Sequence, residues 1–341
     1  TAGSKTIAKY MFSSNGGSTW TTKTTSATTA SHTFTGLSGS TTYSIRVKVV
    51  DSGGVGSTVA SKSVTTNEDT FASYIKSLYT SQGSNEIYYH DSSLANGAGD
   101  NSYRYAGTNP NNYVCFGSSA STCPSANLYR IIGVFGDQVK LIHATHATTA
   151  ELGTTAHARS DKFYWSGSSS NESNTWSSST LNTSSLNGTF LTNLGTTWTN
   201  KIATTTWYVG GMTDTNVSLS NARTAYDYEV GVNRNNTTYN AKIGLPYVSE
   251  YGYAADPSYW TTELFNYDLS SSTNWMGNGY NFWTISRGSD DSDRAFGVFD
   301  GYLVCSVVSM DYHVRPTFNL VSSVKTSGGS GRESDPYRIA D

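Results

Sequence analysis

Residues 281–309, NFWTISRGSDDSDRAFGVFDGYLVCSVVS, and residues 313–320, HVRPTFNL, restrict the fold more narrowly than any other part of this chain. In them, apolar runs of strand length alternate with short polar turns, which predicts successive β-strands. The turns include an acidic loop at 288–293 and a Gly-Tyr pair at 301–302. We therefore expect a sheet of short strands that carries polar loops.

Residues 84–341 continue this pattern, with no further Gly- or Pro-rich linker until the stretch at 322–336. Further apolar runs of strand length occur at 128–135, 138–144, 204–211 and 242–249. Gly136-Asp137 lies between the first two runs and predicts a hairpin. Helical periodicity appears at 180–194. Few helices among many short strands predict one large α+β domain over 84–341.

Residues 1–66 contain short strands separated by turns. From Tyr43 to Val49 apolar residues alternate with polar ones, which is the period of a strand with one buried face. Asn15-Gly16 is a hairpin signal. The element GL-x-x-x-TTY at residues 36–43 predicts a turn, after which Tyr43 enters the core at the start of the next strand.

The stretches KYMFSSNGGSTW, FTGLSGSTTYSIRVKVVDSGGVGS and SVTT together resemble a fibronectin type III or related bacterial immunoglobulin-like repeat. This resemblance implies an all-β sandwich over 1–66 that acts as a spacer. The strand that the family has before Ile7 is absent or truncated, so we expect a truncated sandwich.

Residues 67–83 are predicted to form a connecting helix. Asn67 is suited to cap the first turn, and the acidic residues after it suit the helix dipole. Phe71, Ile75 and neighbouring apolar residues share one face. Gly83 suits the end of the helix.

The composition argues against several kinds of partner. Only 14% of the 341 residues are charged and the formal net charge is -3, whereas nucleic-acid binders carry basic patches. The 24 Tyr and 8 Trp lie among many Ser, Asn and Gly residues, a mixture that recognition surfaces use and that is also common in extracellular proteins. No stretch resembles a membrane span or a signal peptide, and the abrupt start leads us to expect a fragment.

The three cysteines suggest an oxidising compartment. Cys115 and Cys123 lie in the flexible stretch CFGSSASTCP, and a disulfide between them is favoured over two free thiols. No second pair or histidine partner follows at the spacing of a zinc site. Cys305 lies in an apolar run and is expected to be a buried structural thiol.

Several pieces of 84–341 resemble a family of Gram-positive surface domains related to formylglycine-generating-enzyme-like, C-type-lectin-like folds. The matching pieces are LYRIIGVFGDQVKLI, TWSSSTLNTSSLNGTFLTNL, KIGLPYVSEYGYAA and the two stretches quoted first. The resemblance implies a C-type-lectin-like domain over 84–341. Formylglycine formation needs paired cysteines or copper chemistry, and Cys305 alone in the corresponding half makes that activity unexpected.

In the variable proteins of diversity-generating retroelements, the C-terminal strands of this fold display a ligand-binding face. The resemblance implies the same use here, through polar and aromatic residues that interrupt the apolar strands. The predicted ligand-binding residues are Trp283, Ser286, Arg287, Ser289, Asp290, Asp291, Asp293, Tyr302, Tyr312 and His313. For Trp283, a place in the core is the favoured alternative to ligand contact.

Metal and catalytic sites have weaker support. The aspartates of the 288–293 loop offer oxygen ligands for calcium, but they do not form an EF-hand pattern, and a solvated acidic loop is favoured. His143, His146 and His157 lack a metal-binding spacing. No G-x-S-x-G occurs, and the carboxylates form no distinctive pair. We expect no catalytic residues, no metal site and no cofactor, with Arg315 as a buried structural arginine.

These observations predict a non-enzymatic ligand-binding or adhesion protein on the outside of a bacterial cell. The expected partner is a protein or glycan on another cell or host surface, without nucleic acid and without membrane insertion of this fragment. Two alternatives stay open: a subunit of a pilus or other surface filament that self-associates, and a phage tail receptor-binding protein.

Overall fold

The computed structural model describes residues 5–39, 41–66, 69–213, 215, 220–266, 272–277 and 279–340. The chain divides into two compact units, unit 1 at residues 1–69 and unit 2 at residues 70–341. Short strands predominate over helices in the described residues, so the fold is rich in β-structure, as the sequence predicts.

Unit 1 contains one antiparallel sheet in the order β2-β1-β3-β4. Its strands are β1 (Ile7–Ser13), β2 (Thr21–Thr24), β3 (Thr42–Asp51) and β4 (Ala60–Thr65). Tyr10 pairs with Val49, and Tyr43 pairs with Val64. Because paired antiparallel residues point to the same side, these side chains share one apolar face of the sheet.

The segment between β2 and β3 lies on this apolar face. The Tyr10 hydroxyl donates to the Thr28 carbonyl at 2.8 Å, and the Phe12 ring stacks on His32 with centroids 5.3 Å apart. The Tyr43 hydroxyl accepts from the Ser38 amide at 2.8 Å, which is the geometry of a tyrosine corner. The described residues of unit 1 form one sheet and not the two of a complete sandwich, so the truncated sandwich stays a prediction.

The predicted connecting helix is shorter than expected and lies in unit 2. Helix α1 spans Phe71–Leu78, and the Thr70 side chain caps it by accepting from the Ser73 amide. Asn67, the predicted cap, lies outside the described residues. The helix ends at Leu78 because the next residue is extended, well before Gly83. Its buried face includes Phe71 and Ile75, as the periodicity predicts.

The remaining elements of unit 2 are short and numerous. Its strands are β5 (Ile87–His90), β6 (Ser102–Tyr105), β7 (Tyr113–Cys115), β8 (Leu128–Phe135), β9 (Gln138–His143), β10 (His157–Arg159), β11 (Lys162–Tyr164), β12 (Thr205–Tyr208), β13 (Thr238–Ala241), β14 (Phe282–Arg287), β15 (Arg294–Phe299), β16 (Tyr302–Val307), β17 (Asp311–His313), β18 (Thr317–Asn319), β19 (Thr326–Gly328) and β20 (Tyr337–Ile339). Its further helices are α2 (Thr149–Leu152), a π-helical segment (Leu181–Phe190), α3 (Leu191–Thr199), α4 (Ala222–Glu229) and α5 (Val248–Tyr253).

These strands form two large sheets and one ribbon. The eight-stranded sheet has the order β18-β9-β8-β7-β20-β19, with β6 also paired to β8 and β5 paired to β6. The six-stranded sheet has the order β10-β11-β17-β14-β15-β16, and β12 and β13 form the ribbon. The predicted hairpin between β8 and β9 is confirmed, with a left-handed Gly136 (φ 58°) in its turn.

One segment differs from the strand predictions, and a second, predicted to be helical, is helical with a π-helical first part. Residues 242–249 were expected to form a strand, but the Asn187 side chain bonds both backbone groups of Ile243, at 2.9 and 3.0 Å, and α5 begins at Val248. Strand pairing in this segment is limited to an isolated bridge between Gly244 and Thr317 of β18, beside the Asn187 contact. The predicted helical stretch at 180–194 is helical, beginning with the π-helical segment.

The core of unit 2 joins both large sheets. Its largest buried cluster includes Tyr129 and Leu141 of the eight-stranded sheet and Trp283 and Ile285 of the six-stranded sheet. The predicted structural role of Arg315 is confirmed. Its buried guanidinium donates to three backbone carbonyls, those of His143, Ala144 and Met276, at 2.7–3.1 Å.

Candidate functional site

A cleft with a volume of about 300 Å³ opens in unit 2 among β6, the β8–β9 hairpin, β12, α4 and α5. Its walls are mainly aromatic, and the rings come from Phe135, Trp207, Tyr208, Tyr226 and Tyr247. Four charged side chains also line it, namely Asp100, Arg104, Lys140 and Glu250. We call these nine residues the aromatic cleft.

A buried ion pair forms the first polar part of the cleft. The Lys140 ammonium contacts the Glu250 carboxylate, and both side chains are buried. The ammonium also lies 4.8 Å from the centroid of the Trp207 ring and 4.7 Å from that of Tyr247. Burial lowers the pKa of Lys140, and the attraction of Glu250 opposes that shift. The other Glu250 oxygen accepts from the Tyr247 amide at 3.0 Å, so α5 orients the carboxylate.

A second pair lies on β6 and the loop before it. Arg104 donates to Asp100 at 2.7 Å and to the Ser102 hydroxyl at 2.8 Å. The guanidinium lies 4.7 Å from the Phe135 centroid and 5.5 Å from that of Tyr226. Burial alone would raise the pKa of Asp100, but Arg104 and the hydrogen bonds from Ser102 bring it to about 2. Asp100 is therefore ionised at neutral pH.

A buried carboxylate fixes the relative positions of α4, α5 and β14. Glu229 accepts from the amides of Val248 and Ser249, both at 2.8 Å, and contacts the Ser286 hydroxyl. Burial raises the pKa of this carboxyl group. Since Tyr226 lies on α4 and Glu250 on α5, these contacts hold two sides of the cleft in place.

Close backbone packing positions the Trp207 wall. A Cβ atom at Gly244 would lie 2.8 Å from the Trp207 ring, so this ring requires glycine beneath it. The Trp207 indole donates to the Ala241 carbonyl at 3.2 Å, and the Tyr247 hydroxyl accepts from the Tyr208 amide at 2.9 Å. The ring positions are set by packing and by hydrogen bonds before any ligand arrives.

Three of the predicted ligand-binding residues belong to the core and not to a ligand face. Trp283, Ser286 and Tyr312 are 0%, 2% and 5% exposed. The Trp283 indole donates to the Phe163 carbonyl at 2.9 Å, and the Tyr312 and Ser306 hydroxyls share a hydrogen bond of 2.8 Å. Ser286 contacts Glu229. Their burial leaves these three side chains little surface for ligand contact, since β14 is buried over residues 282–286 and Tyr312 is the one buried residue of β17.

The other predicted residues lie at two opposite ends of the six-stranded sheet. Ser289, Asp290, Asp291 and Asp293 follow β14, whereas Tyr302 begins β16 and His313 ends β17 beside the first residue of β14. The five steps along β15 from Arg294 to Phe299 separate these ends, which is roughly 17 Å at about 3.4 Å per step. The sheet therefore does not bring the predicted residues together into one site.

The acidic loop makes local contacts. Asp291 lies 3.7 Å from Arg294 in a half-exposed pair. Arg287 instead donates to the Gly210 carbonyl at 3.2 Å and to the Asn174 side chain at 3.1 Å. Among the residues that the structure describes, no group of three or more His, Cys, Asp or Glu side chains is placed to hold a metal ion.

At the other end of the sheet, Tyr302 is 39% exposed and His313 is half-buried in a ring cluster. The His313 ring lies 4.2 Å from that of His146 and 5.1 Å from that of Tyr280. Burial, followed by the neighbouring His313, lowers the pKa of His146 to about 4. These two histidines are brought together by the fold, whereas His157 packs on Phe163.

The disulfide between Cys115 and Cys123 is present, with Cα atoms 5.8 Å apart. Arg338 on β20 donates to the carbonyls of Ala120 and Ser121 inside the disulfide loop, at 2.7 and 2.6 Å. Cys305 is half-buried in β16 and not fully buried as expected.

Sequence reasoning missed the aromatic cleft. Its residues come from segments spread between Asp100 and Glu250, and the Lys140–Glu250 contact alone spans 110 residues. One signal lies in the sequence: Lys140 stands between the apolar residues Val139 and Leu141 of the strand QVKLIH. A lysine in a buried strand requires a partner of opposite charge, but the sequence does not identify that partner.

No helix among the described residues has the length and apolar character needed to span a bilayer. Comparison with known proteins adds no relative, since no family model, no curated protein and no solved structure matches the chain.

Proposed function

We propose that this chain is a non-enzymatic ligand-binding protein of the bacterial cell surface and that the aromatic cleft in unit 2 is its binding site. The observation that carries the proposal is the convergence of five aromatic side chains around two buried ion pairs. Concave, largely apolar sites with a few fixed polar groups are the usual form of small-ligand sites.

The construction of the cleft favours binding. Its rings and charged groups lie on strands and helices, and hydrogen bonds orient Trp207, Tyr247 and Glu250 in the absence of ligand. A ligand that enters such a site loses little affinity to the ordering of side chains. Both ion pairs already satisfy their own charges, so a ligand is not needed to neutralise them.

Features outside the cleft support the extracellular location. The disulfide Cys115–Cys123 is stable in oxidising compartments and rare in the cytosol. The tyrosine corner at Tyr43 supports the fibronectin-type-III-like character proposed for unit 1, which we assign as a spacer. For unit 2 we propose a C-type-lectin-like scaffold whose binding site is the aromatic cleft and not the C-terminal strands.

A mixed array that displays neutral glycans, acidic glycans and aromatic-containing peptides tests the proposal with the full chain. Two variants disable the cleft in different ways. Tyr208→Ala removes an aromatic wall, and Thr206→Trp places a bulky ring at an exposed position that lines the cleft. Each is expected to weaken binding to every array hit at least tenfold, because the contact area lies in the cleft.

The matched control is Tyr74→Ala, which makes the same change on the exposed side of α1, outside the cleft. It should bind as the wild type does. Tyr302→Ala tests the C-terminal strands as an alternative site. Binding that survives both cleft variants, or that is lost in Tyr302→Ala alone, would contradict the cleft as the binding site.

One observation favours a second function, that of a subunit of a surface filament. All six residues of β4 are exposed, and β4 pairs only with β3 among the described strands of unit 1. An open edge strand can accept a strand from a neighbouring molecule. Light scattering on the full chain from 1 to 100 µM should then show growing oligomers that Ser63→Pro prevents, because the Ser63 amide points to the open edge and not to β3. A monomer throughout would contradict this function.

A further inference from the structure

The charges that line the aromatic cleft cancel one another. Arg104 pairs with Asp100, and Lys140 pairs with Glu250, so the four side chains carry no net formal charge. Among the residues that line the cleft, a charged ligand would find no unpaired counter-charge, or would have to disrupt one of these pairs. Either outcome is costly in a buried site. Arg234 lies 4.9 Å from the Tyr208 ring centroid but is not part of this lining. The cleft therefore favours an uncharged ligand.

The paired groups still have hydrogen-bonding capacity. Arg104 uses its Nε and one terminal nitrogen for hydrogen bonds, and its other terminal nitrogen makes none within the described part of the chain. The Lys140 ammonium has three N–H donors and contacts one carboxylate. Asp100 Oδ1 already accepts from the Ser102 amide and hydroxyl, whereas each Glu250 oxygen accepts one hydrogen bond, from Lys140 or from the Tyr247 amide, and can accept another.

A hydroxyl group suits this arrangement better than any purely donating or accepting group. It can accept from the cation of a pair and donate to the carboxylate of the same pair, without separating the two charges. Two such pairs in one cleft accommodate a ligand with several hydroxyl groups. Hydroxyl hydrogen bonds to charged partners are also stronger than those to neutral partners.

The aromatic walls require that the same ligand also has a flat apolar face. Tyr208 and Tyr226 are half-buried, so part of each side chain remains open to the cleft. Lys140 lies over Trp207 and Tyr247, and these two rings are buried. Arg234 and Arg104 lie 4.9 and 5.5 Å from the ring centroids of Tyr208 and Tyr226, so one face of each half-buried ring is next to a cation and the other face is the one offered to a ligand. A flat C–H surface packs on an aromatic ring through dispersion and burial of apolar area.

We infer that the aromatic cleft binds a neutral saccharide, with hydroxyl groups at the two ion pairs and a sugar face on the Tyr208–Tyr226 side. Because this inference rests on the proposed function, its test must separate the identity of the ligand from the location of the site. The volume of about 300 Å³ suits a short terminal part of a glycan.

Titration calorimetry with matched oligosaccharides provides that test. The probes are oligomers of glucose, galactose and N-acetylglucosamine, together with glucuronic and galacturonic acid oligomers of the same length. At least one neutral oligomer should bind, and its uronic acid counterpart at least tenfold more weakly. Affinity for the neutral oligomer should change less than twofold between 50 and 500 mM NaCl, because salt screens only charge–charge attraction. Tyr208→Ala should weaken this binding at least tenfold, and Tyr74→Ala should not.

Two results overturn the inference in distinguishable ways. Cleft-dependent binding of uronic acid oligomers or of array peptides, without binding of a neutral oligomer, would refute the saccharide and leave the proposed function in place. Both the saccharide and the cleft would be refuted if neutral oligomers bound equally well to wild type, Tyr208→Ala and Thr206→Trp. The same conclusion would follow if no probe or array member showed binding that depends on the cleft.

Discussion

The aromatic cleft and the strands at 282–313 use the same residue types in opposite ways. In the cleft, charged side chains are buried in pairs and aromatic rings line a cavity. In the C-terminal strands, Trp283 and Tyr312 fill the core, and the aspartates lie in a loop at the sheet end. The difference teaches that aromatic and acidic residues within one segment do not make a site unless the fold brings them together.

The two regions also differ in how they are held. The cleft depends on contacts between residues far apart in sequence, such as Lys140 with Glu250. The C-terminal strands depend on consecutive hairpins, with Phe282 paired to Val298 and Phe299 paired to Tyr302. Substitutions at matched positions in the two regions should therefore separate core roles from binding roles.

The largest expected effect is that of Trp283→Ala, which empties a fully buried site and removes a hydrogen bond to Phe163. We expect the free energy of unfolding to fall by about 3–5 kcal/mol, measured by urea denaturation. Trp283→Phe keeps most of the side-chain volume, so its free energy of unfolding should fall clearly less than that of Trp283→Ala. If Trp283→Ala left the stability unchanged but abolished ligand binding, Trp283 would belong to a binding face and not to the core.

Lys140→Met should cost about 3 kcal/mol or more, because it leaves the Glu250 carboxylate buried without its partner. The exposed pair of Lys76 with Asp137 provides the control, and Lys76→Met should change stability by no more than about 1 kcal/mol. Adding Glu250→Gln to Lys140→Met should recover part of the loss. Equal effects of Lys140→Met and Lys76→Met in urea denaturation would show that the cleft pair is not buried in solution.

The pH dependence of stability should report on Asp100. The pKa of this carboxyl group is about 2 in the folded chain, below its ordinary value of 3.8. Its stabilising contribution, about 2 kcal/mol by proton linkage, is therefore complete above about pH 4 and lost as the pH falls through 2. Denaturation between pH 5 and 2 should show a shallower loss of stability in Asp100→Asn than in wild type. Equal slopes would mean that Arg104 does not lower the pKa of Asp100 in the folded chain.

The smallest expected effect is that of Tyr302→Ala, since this side chain is 39% exposed at a hairpin. Its free energy of unfolding should stay within about 0.5 kcal/mol of wild type, as surface substitutions usually do. The free energy of unfolding of Tyr312→Ala should be about 2 kcal/mol lower than that of Tyr302→Ala, because Tyr312 is buried and its hydroxyl is hydrogen-bonded to that of Ser306. Similar stabilities of the two variants in parallel urea titrations would contradict this difference between neighbouring tyrosines.

Local patterns in the sequence determined much of the fold. The β8–β9 hairpin, the strand that begins near Tyr43 and the helical stretch at 180–194 all follow from periodicity and turn residues. The disulfide Cys115–Cys123 joins residues only eight positions apart. These features were predictable because the interactions that specify them lie within a few residues along the chain.

Contacts between polar residues that are far apart in sequence depend on the fold. Nothing near Lys140 in sequence indicates that Glu250 will be its partner, and nothing in KIGLPYVS indicates that Asn187 will bond Ile243. The burial of Trp283 and Ser286 likewise depends on elements packed from elsewhere in unit 2. Local sequence patterns specify a β-rich chain with aromatic and acidic side chains, whereas packing between distant segments determines which of these side chains lie in the core and which line the cleft.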